Sequence, residues 1–296
     1  MSDISIAMAT YNGERYLREQ LDSILAQTVP FRELIVVDDA STDGTWEILS
    51  RYAANDARIK LFRNRTNVGV FKNFELAATA CTGEFIAFSD QDDIWMPDHL
   101  EALRKGIGEK MLAIGDAEIM DASGNRSGQR LSYLENVDWM PDDDLQKAYT
   151  MFFYRGCYQG ASMMIRRSLL PVALPIPRHN YHDFWLSCLA CFYGGISRID
   201  APITLYRRHE RAVTGDRRRK PRLRAVVGHV LLKRALRYRP AVVEALRERL
   251  ANTLTEEQRA FLAQADRYYK RRSSLFGRLA NLVFEIKHYK LIYACK

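Results

Sequence analysis

Two hydrophobic rhythms alternate through the first hundred residues, and they limit this chain to few folds. Ile4–Ala9, Glu33–Asp38, Ile59–Phe62 and Phe85–Phe88 are short, mostly apolar runs. Between them, apolar residues return at helical spacing: Leu17, Leu21, Ile24 and Leu25; then Trp46, Leu49 and Tyr52; then Phe71, Phe74 and Ala78. A nearly continuous apolar strand is one covered on both faces. Strand, helix and strand in succession close as a right-handed crossover in a parallel sheet. The pattern therefore predicts an α/β fold with a mostly parallel sheet flanked by helices. In such sheets the ligand lies beyond the carboxyl ends of the strands. Thr10, Tyr11, Asp39, Asn67 and the cluster Asp90, Asp92 and Asp93 all fall there.

The cluster follows the fourth run directly, in Phe88-Ser-Asp-Gln-Asp-Asp-Ile-Trp95. Several carboxylates in a small space are costly unless a cation joins them. Hard oxygen ligands suit Mg²⁺ or Mn²⁺, which keeps some of its waters and shares other sites with phosphate oxygens. The competing reading is a solvated acidic turn before the helix that follows Met96-Pro97. Neither a GxGxxG after the first strand nor a GxxxxGK[ST] occurs. A bound nucleotide would then be held by side chains and a metal and not by a glycine-rich cradle.

Beyond residue 110 the alternation loosens. Met111–Ala117 reads as a fifth strand, Asp121–Gly124 as a tight turn, and Asp142–Leu145 as a helix start. Tyr158–Ile165 reads as a strand with Gly160 at a bend or near a ligand. His179–Trp185 opens an apolar helix, and Gly195–Ile199 and Ile203–Tyr206 read as short strands. Cys188 and Cys191 form a CxxC inside that apolar helix, with no second pair to complete a zinc site, so core packing is expected. The five cysteines are odd in number and scattered, as in a reducing compartment.

Charge separates the chain into two parts. Residues 217–296 hold 21 Lys and Arg against 6 Asp and Glu, whereas residues 1–216 hold 23 against 30. The expected organisation is a catalytic domain over 1–216, with a nucleotide-binding half at 1–110 and an acceptor half at 111–216. A basic helical extension over 217–296 follows it. Within the extension, Arg217–Arg222 reads as a hinge-like basic run, Leu223–Tyr238 as amphipathic and basic, and about 241–252 and 255–290 as helices. Such a segment either lies on an anionic membrane surface or packs on the body with its charges in water. No nucleic-acid reading motif accompanies the basic charge, so no nucleic-acid partner is expected. No stretch of 18 apolar residues and no signal-peptide pattern occurs. The expected location is cytoplasmic, on the inner face of a membrane if the basic segment binds one.

Five motifs occur in an informative order: Ala9-Thr-Tyr-Asn12, Leu21–Gln27, Ile35-Val-Val-Asp-Asp-Ala-Ser-Thr-Asp-Gly44, Asn67-Val-Gly69 and Phe88–Trp95. Together they resemble family 2 glycosyltransferases of the GT-A fold, over roughly residues 3–210. The form Ser89-Asp-Gln-Asp-Asp93, with the later His182-Asp-Phe-Trp-Leu186 and Tyr206-Arg-Arg-His209, resembles the rhamnosyltransferase-like branch. The resemblance implies an inverting, metal-dependent transfer from a dTDP- or UDP-linked sugar to a glycan or lipid-linked acceptor. It implies that Thr10, Tyr11 and Asp39 line the base pocket, with Asp38 behind, and that Asn67, Lys72 or Asn73 reach the nucleotide. Asp90 would lie near the ribose, Asp92 on the metal, and His209 on the metal or diphosphate. Asp183 would be the general base. Many relatives carry Glu-Asp where this chain has His182-Asp183, which leaves Asp183 as the sole acid of the pair. Gln159, Gly160 and His182 are expected around the donor and acceptor; Trp185 is placed there too, with core packing the favoured role for it and for Tyr158.

Other readings are a UDP-hexose donor, a nucleotidyltransferase, and a non-catalytic membrane-surface adaptor. A nucleotidyltransferase would want a basic loop after the first strand, and Thr10-Tyr-Asn-Gly-Glu14 supplies none. The adaptor gives no reason for Asp92 and Asp183.

Overall fold

A computed structural model describes residues 3–134, 141–154, 159–177, 180–210, 239–271 and 274–293. Its first half follows the alternation closely. Strands β1 (Ile4–Thr10), β2 (Glu33–Asp38), β3 (Ile59–Arg63) and β4 (Phe85–Ser89) are separated by helices α1 (Leu17–Leu25), α2 (Thr45–Asn55) and α3 (Val70–Ala80). β1 lies between β2 and β4, and β3 flanks β2, all four parallel. The register sets Thr10 beside Asp38 and Asp38 beside Arg63, so the strands end together.

The second half is mixed. It comprises β5 (Ile94–Trp95), α4 (His99–Gly106), β6 (Leu112–Met120), β7 (Arg126–Arg130), α5 (Leu131–Leu134), α6 (Asp144–Phe153), β8 (Met163–Arg166), α7 (Leu170–Ala173), α8 (His182–Phe192) and β9 (Ile196–Arg207). β8 runs antiparallel to both β4 and β6, and β9 runs parallel to β6 and antiparallel to β5. The order is β3-β2-β1-β4-β8-β6-β9-β5, with β7 paired to β6.

Two expectations change here, and one strand was not foreseen. The two short strands over 195–206 are one strand, β9, because register shifts at Gly115–Asp116 and Asp116–Ala117 of β6 take up the irregularity opposite Pro202. The strand expected over 158–165 is shorter, since Gly160–Ser162 form a 3₁₀ turn, and Tyr158 lies outside the described residues. β7, wholly exposed, carries no apolar rhythm from which to expect it.

Alternate residues of the strands feed two cores. Ile6, Met8, Leu34, Val36 and Phe85 pack with Leu17, Leu21, Ile48 and Leu100 from α1, α2 and α4. Ala7, Ile35, Val37, Ile86 and Phe88 pack with Phe74, Phe152, Trp185 and Leu189 from α3, α6 and α8. The second core continues into α9 (Arg239–Arg249), α10 (Glu256–Arg271) and α12 (Tyr289–Ile292) through Val242, Leu246, Phe261, Tyr268 and Ile292. α11 (Leu275–Lys287) lies between α10 and α12. The described part of the extension is therefore packed on the body. The basic run 217–222 and the amphipathic stretch 223–238 lie outside the described residues.

Candidate active site

The chain leaves β2 through Asp38 and Asp39, both buried. Asp38 ends the strand internally: it accepts from the Thr10 hydroxyl at 3.1 Å and from Ser41 N–H at 3.1 Å, with Arg63 Nε at 3.3 Å. Asp39 turns to the loop after β3. Its Oδ1 accepts from Asn64 Nδ2 and Val68 N–H, its Oδ2 from Gly69 N–H, each at 2.8 Å. Gly69 has φ +87°, where a side chain would be strained, and this conformation turns its N–H to the carboxylate. Asn67 is exposed and donates to the Asp39 carbonyl at 3.4 Å. Asn73 is 1% exposed and joins Val37 O at 2.7 Å to Asn64 at 2.9 Å. Its amide thus braces the loop from behind. Lys72 pairs with Glu75 on its own helix. Of the two residues expected to reach a nucleotide, Asn73 is committed to the framework, and Lys72 stands half-exposed beside its partner. Tyr11 is exposed at the strand end.

Beyond β4 the three acids take separate positions. Asp93 is buried and accepts from Arg207 N–H at 2.9 Å through Oδ1, while its Oδ2 has no partner among the described residues. Arg207 Nε donates to Asp92 O at 2.8 Å, its guanidinium pairs with Glu19 at 2.8 Å, and it stacks 4.6 Å from the Tyr16 ring. This clamp brings the end of β9 against the acidic loop. Two residues later, His209 Nε2 meets Asp92 Oδ2 at 2.9 Å. Gln91 holds the loop to β1 by accepting from Tyr11 N–H at 2.8 Å and donating to Tyr11 O at 3.0 Å. Sequence reasoning missed Gln91 and Arg207, since neither sits in an apolar rhythm. The Gln inside Ser89-Asp-Gln-Asp-Asp93 was the available signal.

Asp183 stands in the first turn of α8, partly exposed. Its Oδ1 accepts from Phe184 N–H at 2.6 Å, and the Gly160 backbone is near enough to favour its anion. Burial still raises its pKa to about 6, against the pull of these groups and of nearby Arg239. Asp90 is raised to about 8, first by burial and then by the negative charges of Asp92 and Asp183. The charges of Asp92 and Asp183 thus both bear on Asp90, so the acidic loop and the start of α8 lie near each other.

His182 points inward from the same turn. Its ring lies 3.9 Å from Phe74 and 5.0 Å from Phe88, and neither nitrogen has a partner among the described residues. Burial lowers its pKa to about 3, so it is neutral at ordinary pH. Gly160 faces this imidazole so closely that a Cβ would collide with it. Gln159 donates to Ser162 Oγ at 2.9 Å. Trp185 takes the packing role: it is fully buried, with its indole N–H on Ala173 O at 2.8 Å. Three residues along a helix from His182, it takes a place in the core. Arg239, which no motif singled out, stacks its guanidinium 3.3 Å from the Phe184 ring.

Among the described residues, no group of three or more His, Cys, Asp or Glu side chains is arranged to hold a metal ion alone. The Asp92–His209 pair offers one oxygen and one nitrogen donor, with Asp90 close by, a carboxyl whose ionisation is disfavoured until a cation arrives. Such a set fits a divalent ion that takes its other ligands from phosphate and water.

A mixed sheet that carries acids at the ends of its parallel strands, with one more acid at a nearby helix start, defines an α/β architecture whose ligand site lies beyond those strand ends. Residues 5–170 match the family model "Glycosyl transferase family 2", more than half of the chain, and the chain belongs to that family. It is similar to the putative glycosyltransferase EpsE of Bacillus subtilis (strain 168), 44% identical over 99 residues, or 33% of this chain and 36% of EpsE. The putative glycosyltransferase EpsH of the same organism is 28% identical over 214 residues, 70% of this chain and 61% of EpsH. The chain thus spans about a third of one relative and less than two thirds of the other. Among solved structures, S. aureus TarS 1-349 in complex with UDP-GlcNAc has a TM-score of 0.59 at 20% identity, covering 99% of this chain and 87% of that one. The mannosyltransferase PcManGT from Pyrobaculum calidifontis, in complex with GDP-Man and Mn²⁺, has a TM-score of 0.54 at 18% identity, covering 96% and 87%. At these identities the likeness is one of fold.

Proposed function

We propose that this chain is an inverting, metal-dependent glycosyltransferase that moves a sugar from a nucleoside diphosphate to a hydroxyl of a glycan or lipid-linked acceptor. What supports this reading is membership of glycosyltransferase family 2 together with the Asp92–His209 contact at the strand ends, with Asp183 near enough for its charge to bear on Asp90. A leaving diphosphate and an attacking hydroxyl need opposite sides of one small site, and that is the arrangement these residues suit.

In this reading the base and ribose lie along Thr10, Tyr11, Asp39, Asn67 and Asp90, and Asp92 with His209 would hold Mg²⁺ or Mn²⁺. When bound, the ion supplies Lewis-acid stabilisation of the charge that grows on the diphosphate. Asp183 is the general base. Its carboxylate takes the acceptor proton while the acceptor oxygen bonds to the anomeric carbon. The bond from that carbon to the diphosphate oxygen breaks with its electron pair leaving on the diphosphate. One base opposite the leaving group gives inversion, through an oxocarbenium-like transition state. Gly160 helps to aim the base through its backbone, and the neutral His182 excludes water from behind it.

The Ser89–Asp93 form makes a dTDP-linked deoxyhexose such as rhamnose the first donor to test, and UDP-hexoses the second. The acceptor is taken to be a polysaccharide intermediate at the cytoplasmic face of a membrane, met through the basic extension. Among the described residues no helix is long and apolar enough to cross a membrane. The test is a panel of nucleotide sugars assayed for hydrolysis or transfer with and without Mn²⁺. No turnover with any donor, and no metal-dependent nucleotide binding, would remove this function.

A further inference from the structure

Helix α11 carries apolar side chains on two sides: Phe284 packs 4.8 Å from Phe153 and, with Leu282, joins the core. Gly277, Asn281 and Glu285, spaced by four, face the body and are buried. Asn281 donates to Tyr268 O at 2.8 Å, and Glu285 accepts from the Tyr293 hydroxyl at 2.6 Å and from the Tyr268 hydroxyl. A Cβ at Gly277 would collide with the Arg271 carbonyl. These polar and steric contacts fix the rotation of the helix. Its opposite face carries Phe276, Leu279, Val283 and Ile286, exposed by 85, 53, 67 and 62%. The spacing makes them one stripe. An amphipathic helix ordinarily turns its apolar stripe to the core; here the core takes Phe284 together with the buried polar residues, and this second stripe is left outside.

Charge decides what can cover the stripe. Lys287 and Lys290 extend it beyond Ile286, and both are exposed. Residues 267–296 contain eight Lys and Arg and one acid, Glu285, which is buried and hydrogen-bonded. Pairing two copies through this face would bring like charge to like, whereas an anionic lipid surface is complementary to it. A 13-residue helix with exposed apolar side chains and flanking lysines suits the plane of a headgroup layer.

We propose that the Phe276–Leu279–Val283–Ile286 stripe inserts into the interface of an anionic bilayer, with Lys287 and Lys290 on lipid phosphates. It rests on the reading that the basic extension meets a membrane, and adds which surface does so. The full-length protein is sedimented with vesicles of phosphatidylcholine alone or mixed with phosphatidylglycerol. Wild type is expected to bind the anionic vesicles and not the neutral ones. The double variant Leu279→Asp, Val283→Asp should bind about tenfold more weakly or worse, with its thermal midpoint and nucleotide binding unchanged. A second variant changes Arg217, Arg218, Arg219 and Lys220 to Gln. Binding kept by the first variant and lost by the second would overturn the role of α11 and leave the membrane reading standing. Wild type that ignores both vesicles would overturn both. A dimer that the first variant splits, with vesicle binding unaltered, would assign the stripe to a second copy and overturn the proposal.

Discussion

His209 Nε2 lies 2.9 Å from Asp92 Oδ2, although 117 residues separate the two in the chain. The contact depends on Arg207, which anchors the end of β9 to the backbone of Asp92 and to the side chain of Asp93. If the pair holds a divalent ion, His209→Ala should weaken Mn²⁺-dependent nucleotide binding by about 10- to 100-fold, the range for loss of a supporting metal contact. Metal-independent binding should be unaltered. Calorimetric titration of UDP and dTDP with and without Mn²⁺ reads both quantities, and equal loss in the two conditions would count against a metal role.

Asp183 should be needed for transfer and dispensable for binding. Asp183→Asn is expected to lower kcat by about 10²-fold or more with nucleotide affinity retained. A general base works as its anion, so kcat/KM should rise with pH through about 6 and then level. A flat acid limb between pH 5 and 7 would exclude this carboxyl as the base.

Arg239 tests whether the C-terminal helices take part in the chemistry. Its positive charge lowers the pKa of Asp183. Arg239→Leu should move the acid limb of the pH profile upward, and Arg239→Lys should largely restore it. An unchanged limb in both variants would confine Arg239 to packing on Phe184.

Asp39 holds the 64–69 loop through three hydrogen bonds. Asn at this position keeps one acceptor and turns an NH₂ toward backbone N–H groups. Asp39→Asn should cost about 2–3 kcal/mol of stability, as a charged hydrogen-bonding group is lost and donors are left unpaired. Nucleotide binding should fall with it. Chemical denaturation and nucleotide titration measure the two effects.

His182 makes stability depend on pH. Its folded pKa, about 3, lies below the ordinary value of 6.5, so the folded state resists protonation. Its contribution is complete above pH 6.5 and is lost as pH falls toward 3. At pH 5 the loss is about 2 kcal/mol, at 1.36 kcal/mol for each pH unit. The urea midpoint of His182→Leu should therefore depend less on pH between 7 and 5 than that of wild type. Parallel curves would refute the linkage.

The first half of the fold was legible from residue order alone. Nearly continuous apolar strands and period-matched helices leave one economical closure, and the strand ends then collect Thr10, Asp39 and Asp90 without further information. The five motifs made the family readable for the same reason: each is a local segment with its own backbone requirement. The second half was less legible, because β8 and β9 owe their direction and length to partners far away in the chain. The two short strands expected over 195–206 are one, because extra β9 residues around Pro202 are absorbed as register shifts against β6.

Side-chain commitments were decided only by tertiary structure. Asn73 and Trp185 belong to residue types that often bind ligands, yet Val37 O and Ala173 O claim their polar groups. Arg207, Gln91 and Arg239 gained their places from contacts between remote segments. Most of all, the sequence read as helical over 255–290 without showing which side of α11 would face inward. That depended on the Tyr268 and Tyr293 hydroxyls meeting Glu285. Local sequence specifies backbone preference and polarity, whereas a buried polar group is settled by whichever partner the folded chain brings within hydrogen-bond distance.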